Sequence, residues 1–360
     1  MIKLNVNLKE RTYPIYITTD FQGLGKAFSA LKQFSKIIVI TDSNVGRIYS
    51  EECIKAISDT AAEMFCYTIP AGEKSKVLST VSDIYREMIA CRLDRRSAVV
   101  ALGGGVVGDI AGFAAATFMR GIPFVQIPTT ILSQADSSVG GKTGVDFEGS
   151  KNMIGAFHQP SFVYINVNTL KTLPEREVKS GLAEVIKHGL ILDSEFYDYI
   201  DSNLDKILTF DEDVLQYIAK TNCRIKGKIV EKDEREGDLR AILNFGHTIG
   251  HAVESVSNFT MLHGECVAIG MIGAYKLAVK LGAVDEKTAA KVEETLKKSG
   301  LPVKVSNMNS DDILAMMYSD KKVKDGRLNF ILPKGIGEVI QCAIDNESMI
   351  KEVLEELINS

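Results

Sequence analysis

Three of the chain's five histidines lie between residues 247 and 263, in Asn244-Phe245-Gly246-His247-Thr248-Ile249-Gly250-His251 and in His263-Gly264-Glu265. Imidazole both binds metals and moves protons near neutral pH, so histidines this scarce and this crowded point to a working site. His247 and His251 stand one helical turn apart and could be polar residues on a buried helix face, but two glycines and an asparagine in the same eight residues favour chemistry. Spacing leaves two metal-binding readings open. One pairs His247 with His251 as in an HExxH site, whose central glutamate is missing here. The other takes Glu184, His247 and His263, a carboxylate and two imidazoles from three helices, leaving a coordination position for a substrate oxygen.

Anion-binding chemistry is concentrated earlier. Gly103-Gly104-Gly105-Val106-Val107-Gly108-Asp109 follows an apolar strand and opens a helix, the setting in which glycines let backbone amides approach a pyrophosphate. Close packing of helix on strand is the competing explanation for these glycines. No acid stands about twenty residues on to take a ribose, as it does in most Rossmann proteins. Asp42, at the end of KIIVIT, is the ribose candidate. Thr129, Thr130, Asp136, Lys142, Lys151 and Asn152 gather after later strands, and Ser137 to Thr143 is rich in donors, either for phosphate or as a solvated loop. In the second half Glu184 and Lys187 share a helix face, and Lys226, Arg240 and Asn244 lead to the histidines.

The elements that must position these residues follow from pattern. KIIVIT (36–41), EMFCYTI (63–69), SAVVAL (97–102), PFVQIP (123–128) and SFVYINV (161–167) alternate with helical segments, which predicts a parallel sheet covered on both faces. From about Thr172 apolar spacing at three and four residues predicts helices over Glu175–Leu192, Ala241–Val256 and Cys266–Leu281, with Pro174 placed to open the first. KVKDGRLNFILP reads as a β-hairpin turning at Asp325-Gly326. At 360 residues two domains are expected.

Composition excludes several classes. A net charge of -5 with no basic run argues against nucleic acid. The N-terminal run MIKLNVNLKERTYPIYI alternates like a strand and lacks the features of a signal peptide, so a cytoplasmic protein is expected. Ser97 to Met119 carries five glycines and Asp109, and its apolar runs are too short for a bilayer. Cys53, Cys66, Cys91, Cys223, Cys266 and Cys342 show no CxxC spacing and read as reduced, mostly buried thiols.

Taken in order, GGGVVGD, QIPTTILSQADSSVGGKTGVD, KNMIGAFHQP, GLAEVIKHG, LNFGHTIGHAVE and HGE, spanning roughly residues 36 to 333, closely resemble the 3-dehydroquinate synthases, which are sugar phosphate cyclases of the shikimate pathway. The resemblance implies an α/β NAD-binding domain with a parallel sheet over residues 1–172 and a mainly α-helical metal- and substrate-binding domain over 173–360. It also implies a divalent metal, usually zinc with cobalt possible, and a homodimer. The implied reaction turns 3-deoxy-D-arabino-heptulosonate 7-phosphate into 3-dehydroquinate and phosphate by transient NAD-dependent oxidation, phosphate elimination, reduction, ring opening and intramolecular aldol closure.

Residue by residue, the family pattern gives the metal to Glu184, His247 and His263. It gives NAD to Asp42, Asn44, Ala71, Gly72, Glu73, Lys74, Ser75, Lys76, Gly104, Gly105, Val106, Val107, Gly108, Asp109, Thr129, Thr130, Lys142, Lys151, Thr169, Leu170, Lys171 and Thr172. The substrate carboxylate would meet Lys226 and Arg240. Its phosphate would meet Lys142, Asn152, Asn244, His251, a lysine of the Lys321–Lys322 pair, assigned as Lys322, and Arg120 of the other subunit. Asp136, Glu184 and Lys187 would hold hydroxyls near the metal. A polyol dehydrogenase shares the architecture but performs net oxidation and needs no phosphate pocket. A 2-deoxy-scyllo-inosose synthase would use a substrate without the carboxylate, whereas Arg240, Asn244 and His251 together follow the dehydroquinate synthase pattern. A non-enzymatic nucleotide-binding protein would not need both anion sites and three metal ligands.

Overall fold

A computed structural model describes residues 1–31, 33–237, 239–319, 323–324 and 327–358, with side chains undescribed at 62, 323 and 324. In chain order the elements are β1 (Ile2–Val6), β2 (Tyr13–Thr18), α1 (Leu24–Ser29), β3 (Phe34–Asp42), α2 (Gly46–Ile57), β4 (Ala61–Ile69), α3 (Leu78–Ala90), β5 (Ala98–Gly103), α4 (Gly105–Thr117), β6 (Phe124–Pro128), β7 (Lys142–Phe147), β8 (Ser150–Phe157), β9 (Val163–Asn166), α5 (Glu175–Leu192), α6 (Ser194–Ser202), α7 (Leu204–Leu208), α8 (Glu212–Lys232), α9 (His247–Val256), α10 (His263–Lys280), α11 (Glu286–Lys298), α12 (Ser310–Ser319), β10 (Val323–Lys324), β11 (Arg327–Pro333), β12 (Val339–Ile344) and α13 (Glu347–Glu356). They form two compact units, Met1–Leu173 with Phe210–Arg235, and Pro174–Thr209 with Glu236–Ser360.

The first unit is built on a sheet of order β1-β2-β9-β6-β5-β3-β4. All its pairings are parallel except the edge hairpin β1–β2, so the expected parallel sheet carries one antiparallel edge strand. Side chains of a strand alternate between faces, and the central strands bury both. Ile38, Ile40, Val99 and Ala101 pack on α3 and α4 through Val81, Ile84, Ile110 and Ala114. Ile37, Val39, Val100 and Leu102 pack on the other face against Leu24, Phe28, Cys53 and Ile57. Two buried faces explain the uninterrupted apolar runs. With both faces covered, the strand ends are where polar chemistry can stand.

A single boundary after residue 172 does not capture this unit, because the chain returns to it through α8. Glu231 accepts hydrogen bonds from the Asn7 backbone and side-chain nitrogens at 2.6 and 2.8 Å, and Glu234 pairs with Arg11 at 2.6 Å, so α8 is fastened to the β1–β2 region. Helical periodicity cannot show where a helix docks. The donor-rich stretch Ser137 to Thr143 runs at its end into an antiparallel ribbon of β7 and β8, which the sequence pattern does not signal.

The second unit is helical with one small antiparallel sheet, β10-β11-β12. Helix α5 has the predicted bounds, with Pro174 as its N-cap. The helix predicted over Ala241–Val256 is instead a 3-10 turn over Leu239–Asn244 followed by α9, because Gly246 adopts φ 77° at the N-cap, a conformation no helix continues through. The predicted hairpin pairs Val323 with Leu328, while its turn at Asp325-Gly326 lies outside the described residues. Among the described residues no helix is long and apolar enough to cross a membrane.

All six cysteines are free; Cys53, Cys223 and Cys266 are buried and Cys66 is exposed. Burial pushes the Cys53 and Cys223 thiols up to about 12, so neither supplies thiolate, the reactive form, until the pH nears that value. Alkylation of the native protein at pH 8, mapped by mass spectrometry, should therefore modify Cys66 and spare Cys53 and Cys223 until unfolding. Equal labelling of all three would contradict this packing.

Candidate metal centre and anion sites

In the second unit, Glu184 and Lys187 are 1% and 2% exposed on α5. The Lys187 ammonium donates to Glu184 Oε2, while Glu184 Oε1 is buried and accepts no hydrogen bond. Burial alone would raise this carboxyl; Lys187, then His263 and His247, hold it well below the usual carboxylate range. His247 Nε2 stands 3.6 Å and His263 Nε2 3.5 Å from Oε1. His247 Nδ1 lies 3.0 Å from the Phe245 carbonyl, which can only accept, so the proton sits on Nδ1 and Nε2 presents a lone pair. Burial and then Lys187 hold that imidazole well below its ordinary value, hence neutral.

These residues fit a divalent cation. Ligands about 2.1 Å from a tetrahedral ion lie about 3.4 Å from one another, close to the separations seen here, and the three donor atoms all fall within 4.8 Å of one another. A cation would also give the orphaned Oε1 its partner. His263 differs from His247 in charge: burial works against its imidazolium, but Glu184 and then Glu254 hold it up to about 9, so a metal taking Nε2 must displace a proton. Glu254 Oε2 is 3.6 Å from His263 Nδ1, on the far side of the ring, the position of an outer partner that orients a metal-bound imidazole. His251, Glu254 and His263 form another possible ligand group, through that opposite nitrogen.

Close approach of α10 to α5 makes the cluster possible. A Cβ on Gly264 would overlap the Ser180 carbonyl oxygen, so only glycine lets the start of α10 lie this near Glu184. His251 follows His247 by one turn of α9, with their rings 5.1 Å apart. Arg240, 2% exposed, and Asn244 stand on the 3-10 turn just before it. Lys321 and Lys322 lie outside the described residues.

In the first unit, α4 begins at Gly105 with Gly104 as N-cap and no side-chain cap. A Cβ on Gly108 would come 2.8 Å from Gln126 Oε1, so this glycine serves helix-on-sheet packing, whatever the others bind. Val107 is buried and Val106 partly so. Asp109, in the second turn of α4, pairs with buried Lys76 at 2.6 Å, and Lys76 also donates to Asn152 Oδ1 at 2.5 Å. Burial would lower the Lys76 ammonium, but Asp109 and then Glu73 raise it. Lys226, on α8, meets both the Asp136 carboxylate and carbonyl at 2.6 Å, with Asp136 carried by a π-helical turn over Ser133–Ser137. Thr129 Oγ1 is buried and accepts or donates no hydrogen bond.

Other first-unit candidates are committed to structure. Asp42 Oδ1 accepts the backbone N–H groups of Asn44 and Val45 at 2.8 and 3.0 Å, opening α2. In the turn after β4, the Ala71 N–H donates to Ser43 at 3.2 Å, Gly72 takes φ 104°, Ser75 donates to the Pro70 carbonyl, and Lys74 is exposed. Glu73 and Lys151 stand 3.9 Å apart. Thr130 bonds Ser133, and Lys142 is exposed at the start of β7. Thr169 and Leu170 are buried, Lys171 pairs with Glu212 at 3.0 Å, and Thr172 bonds Tyr49 at 2.8 Å. Arg120 does not join Asp109. From Asp109 to the end of α4 at Thr117 the helix runs about 12 Å at 1.5 Å per residue, and Arg120 lies beyond that end, exposed with φ 68°.

Sequence reasoning passed over Glu254 and Gln134. Glu254 follows His247 and His251 at i+7 and i+3, so helical spacing alone could have placed it on their face. Gln134 Nε2 donates to the carbonyls of Pro128 and Asn166 and to Thr169, joining the ends of β6 and β9, and nothing in its sequence context signals that.

Models of the 3-dehydroquinate synthase N-terminal and C-terminal regions match residues 66–180 and 181–323. The 3-dehydroquinate synthase of Acetivibrio thermocellus is 61% identical over 358 residues, 99% of each chain. Among solved structures, 2-deoxy-scyllo-inosose synthase complexed with carbaglucose-6-phosphate, NAD+ and Co2+ superposes with TM-score 0.90 at 28% identity, covering 99% of this chain and 100% of that one. A 2-epi-5-epi-valiolone synthase from Streptomyces hygroscopicus subsp. jinggangensis 5008, with NAD+ and Zn2+ bound, gives 0.89 at 28% identity over 98% of both chains.

The geometry predicts that His263→Ala and Glu184→Gln lose divalent metal on purification while His251→Ala retains it. Metal content by plasma emission decides the matter; retention in His263→Ala with loss in His251→Ala would move the centre to the other ligand group.

Proposed function

The chain belongs to the 3-dehydroquinate synthase family and is an enzyme of that type, converting 3-deoxy-D-arabino-heptulosonate 7-phosphate to 3-dehydroquinate and phosphate; on that premise we propose which of its residues do the work. The observation that carries the assignment is the buried Glu184 Oε1, without a hydrogen bond and faced by two imidazole nitrogens. Glu184, His247 and His263 would hold the cation, zinc or cobalt. When bound, the cation supplies Lewis acidity at a substrate oxygen and NAD supplies reversible hydride acceptance. Lys187 keeps Glu184 ionised and, with Asp136, orients hydroxyls.

Arg240 and Lys226 are buried cations suited to a carboxylate. Lys142, Asn152, Asn244, His251 and Lys322 would receive the phosphate. Arg120, beyond the far end of α4 from Asp109 in its own chain, is assigned to the site of a second subunit, which makes the working form a homodimer. The uncapped amides opening α4 suit a pyrophosphate, with Asp42, Asn44 and the Ala71–Lys76 turn at the adenosine end and Thr129, Thr130, Lys151 and Thr169–Thr172 further along. The first unit, Met1–Leu173 with Phe210–Arg235, would thus carry NAD, and the second, Pro174–Thr209 with Glu236–Ser360, the metal. A biosynthetic enzyme of this kind is placed in the cytoplasm.

Removing one buried charge costs about 2 to 5 kcal/mol when its partner stays buried. Arg240→Ala should weaken binding of a carboxylate-bearing substrate analogue far more than of the same analogue lacking the carboxylate, measured calorimetrically. Equal losses would place Arg240 elsewhere.

Because oxidation and reduction cancel over the cycle, NAD is a recycled catalyst. With heptulosonate phosphate in large excess over NAD and a divalent metal present, phosphate and dehydroquinate should appear together over many equivalents. Absorbance of reduced nicotinamide should stay below one equivalent per site. Its stoichiometric accumulation would mark a net dehydrogenase instead.

A further inference from the structure

We propose that Glu265, gripped by Arg176, is a positioning residue for His263, an inference that rests on His263 being a metal ligand. Helix α10 starts at His263, with Leu262 as its N-cap. Helix ends fray, and a ligand in the first turn is only as well placed as that turn is closed. Glu265 closes it: Oε2 accepts the Leu262 N–H at 2.8 Å. The same carboxylate takes a two-pronged bond from Arg176, Nε to Oε1 and Nη2 to Oε2, both at 2.7 Å. Nη2 also reaches the Thr260 carbonyl at 3.2 Å, fixing the approach to the helix.

Arg176, Ser180 and Glu184 follow one another at four-residue steps and so form one stripe of α5. They meet α10 in reverse order. Arg176 holds Glu265, Ser180 Oγ accepts the Gly264 N–H at 3.1 Å, and Glu184 faces His263 at 3.5 Å. The stripe acts as a ruler that sets the His263 ring against the Glu184 oxygen. Arg176 is 58% exposed, so the pair contributes little to global stability. Its fixed fork geometry is what a lysine or a solvated carboxylate would not reproduce.

Glu265→Ala, Arg176→Ala, Arg176→Lys and His263→Ala would be stripped with chelator and titrated with Co2+, reading affinity and the visible absorption that reports coordination geometry. Loss of an outer partner typically costs about 10 to 100-fold in metal affinity. That range and an altered spectrum are expected for Glu265→Ala and Arg176→Ala, with Arg176→Lys intermediate. The stripped proteins should melt within about 4 °C of wild type, the scale of a 1 kcal/mol change. Affinities within twofold of wild type and an unchanged spectrum, in both alanine variants, would overturn the proposal. So would a lower melting point with unaltered affinity, the mark of a purely structural pair. Should Glu265→Ala fail to fold, the two variants at exposed Arg176 decide alone. Wild-type Co2+ binding by His263→Ala would remove the ligand assignment and the positioning role with it. Failure of the ruler alone looks different, because His263→Ala then still loses the metal.

Discussion

A carboxylate oxygen buried without a hydrogen bond, with two imidazole nitrogens at 3.5 and 3.6 Å, is the constraint around which the second unit is organised. Leaving such an oxygen without a hydrogen bond is costly; His247 cannot supply one, because its proton is committed to the Phe245 carbonyl, and the His263 imidazolium offsets its charge only from 3.5 Å. The neighbouring features follow from that centre. Lys187 keeps the carboxylate charged from the one side that a ligand need not occupy. Gly246 breaks the chain direction so that α9 begins at His247, and Gly264 lets α10 begin close enough for His263 to arrive. Each of these residues would be a poor choice for an ordinary helix bundle, where two glycines and a buried Glu–Lys pair only subtract stability.

The first unit solves a different problem. Its central strands bury apolar residues on both faces, which leaves backbone and side-chain polarity to the strand ends and to the loops that follow them. Lys76, Asp109 and Asn152 meet there from three separate segments, and Lys226 meets Asp136 from α8. A buried cation held by a carboxylate is already desolvated, so an arriving anion need not strip its water again. Such pairs add little to stability, and a role in binding explains their retention better than a role in folding.

Much of this was legible in the sequence, for a physical reason. Strand and helix periods report which face is buried, so β3, β5, β6 and α5 were recovered to within a residue or two, and Glu184 with Lys187 fell on one face. Where a feature depends on contacts distant in sequence, the pattern is silent. The return of α8 to the first unit rests on Glu231 and Glu234 meeting Asn7 and Arg11, more than two hundred residues away. The β7–β8 ribbon was hidden by Gly144, Gly149 and Gly155, which signal loop. The choice of metal ligands was not available from spacing either, since His247 with His251 fits one helical face as well as Glu184, His247 and His263 fit three helices; it came from the family resemblance, and the unsatisfied Oε1 supplies the physical ground.

The inventory of titratable groups also bears on how the elimination step is run. A general base must hold a free lone pair near neutral pH. His247 is neutral but directs its lone pair at the candidate metal position, and Lys187 and Lys226 are engaged with carboxylates. Asp136 is spent on Lys226. What this assignment supplies in quantity is fixed positive charge and amide donors, which stabilise an anion wherever it develops. The family resemblance implies that the departing phosphate monoester, whose second ionisation lies near pH 6, itself takes the proton of the bond it leaves beside, and a site rich in fixed positive charge agrees with that. An enzyme arranged in this way needs to hold its substrate's own phosphate in the reactive orientation more than it needs a base of its own, and that accounts for so many Lys, Arg and Asn side chains being assigned to so small a ligand.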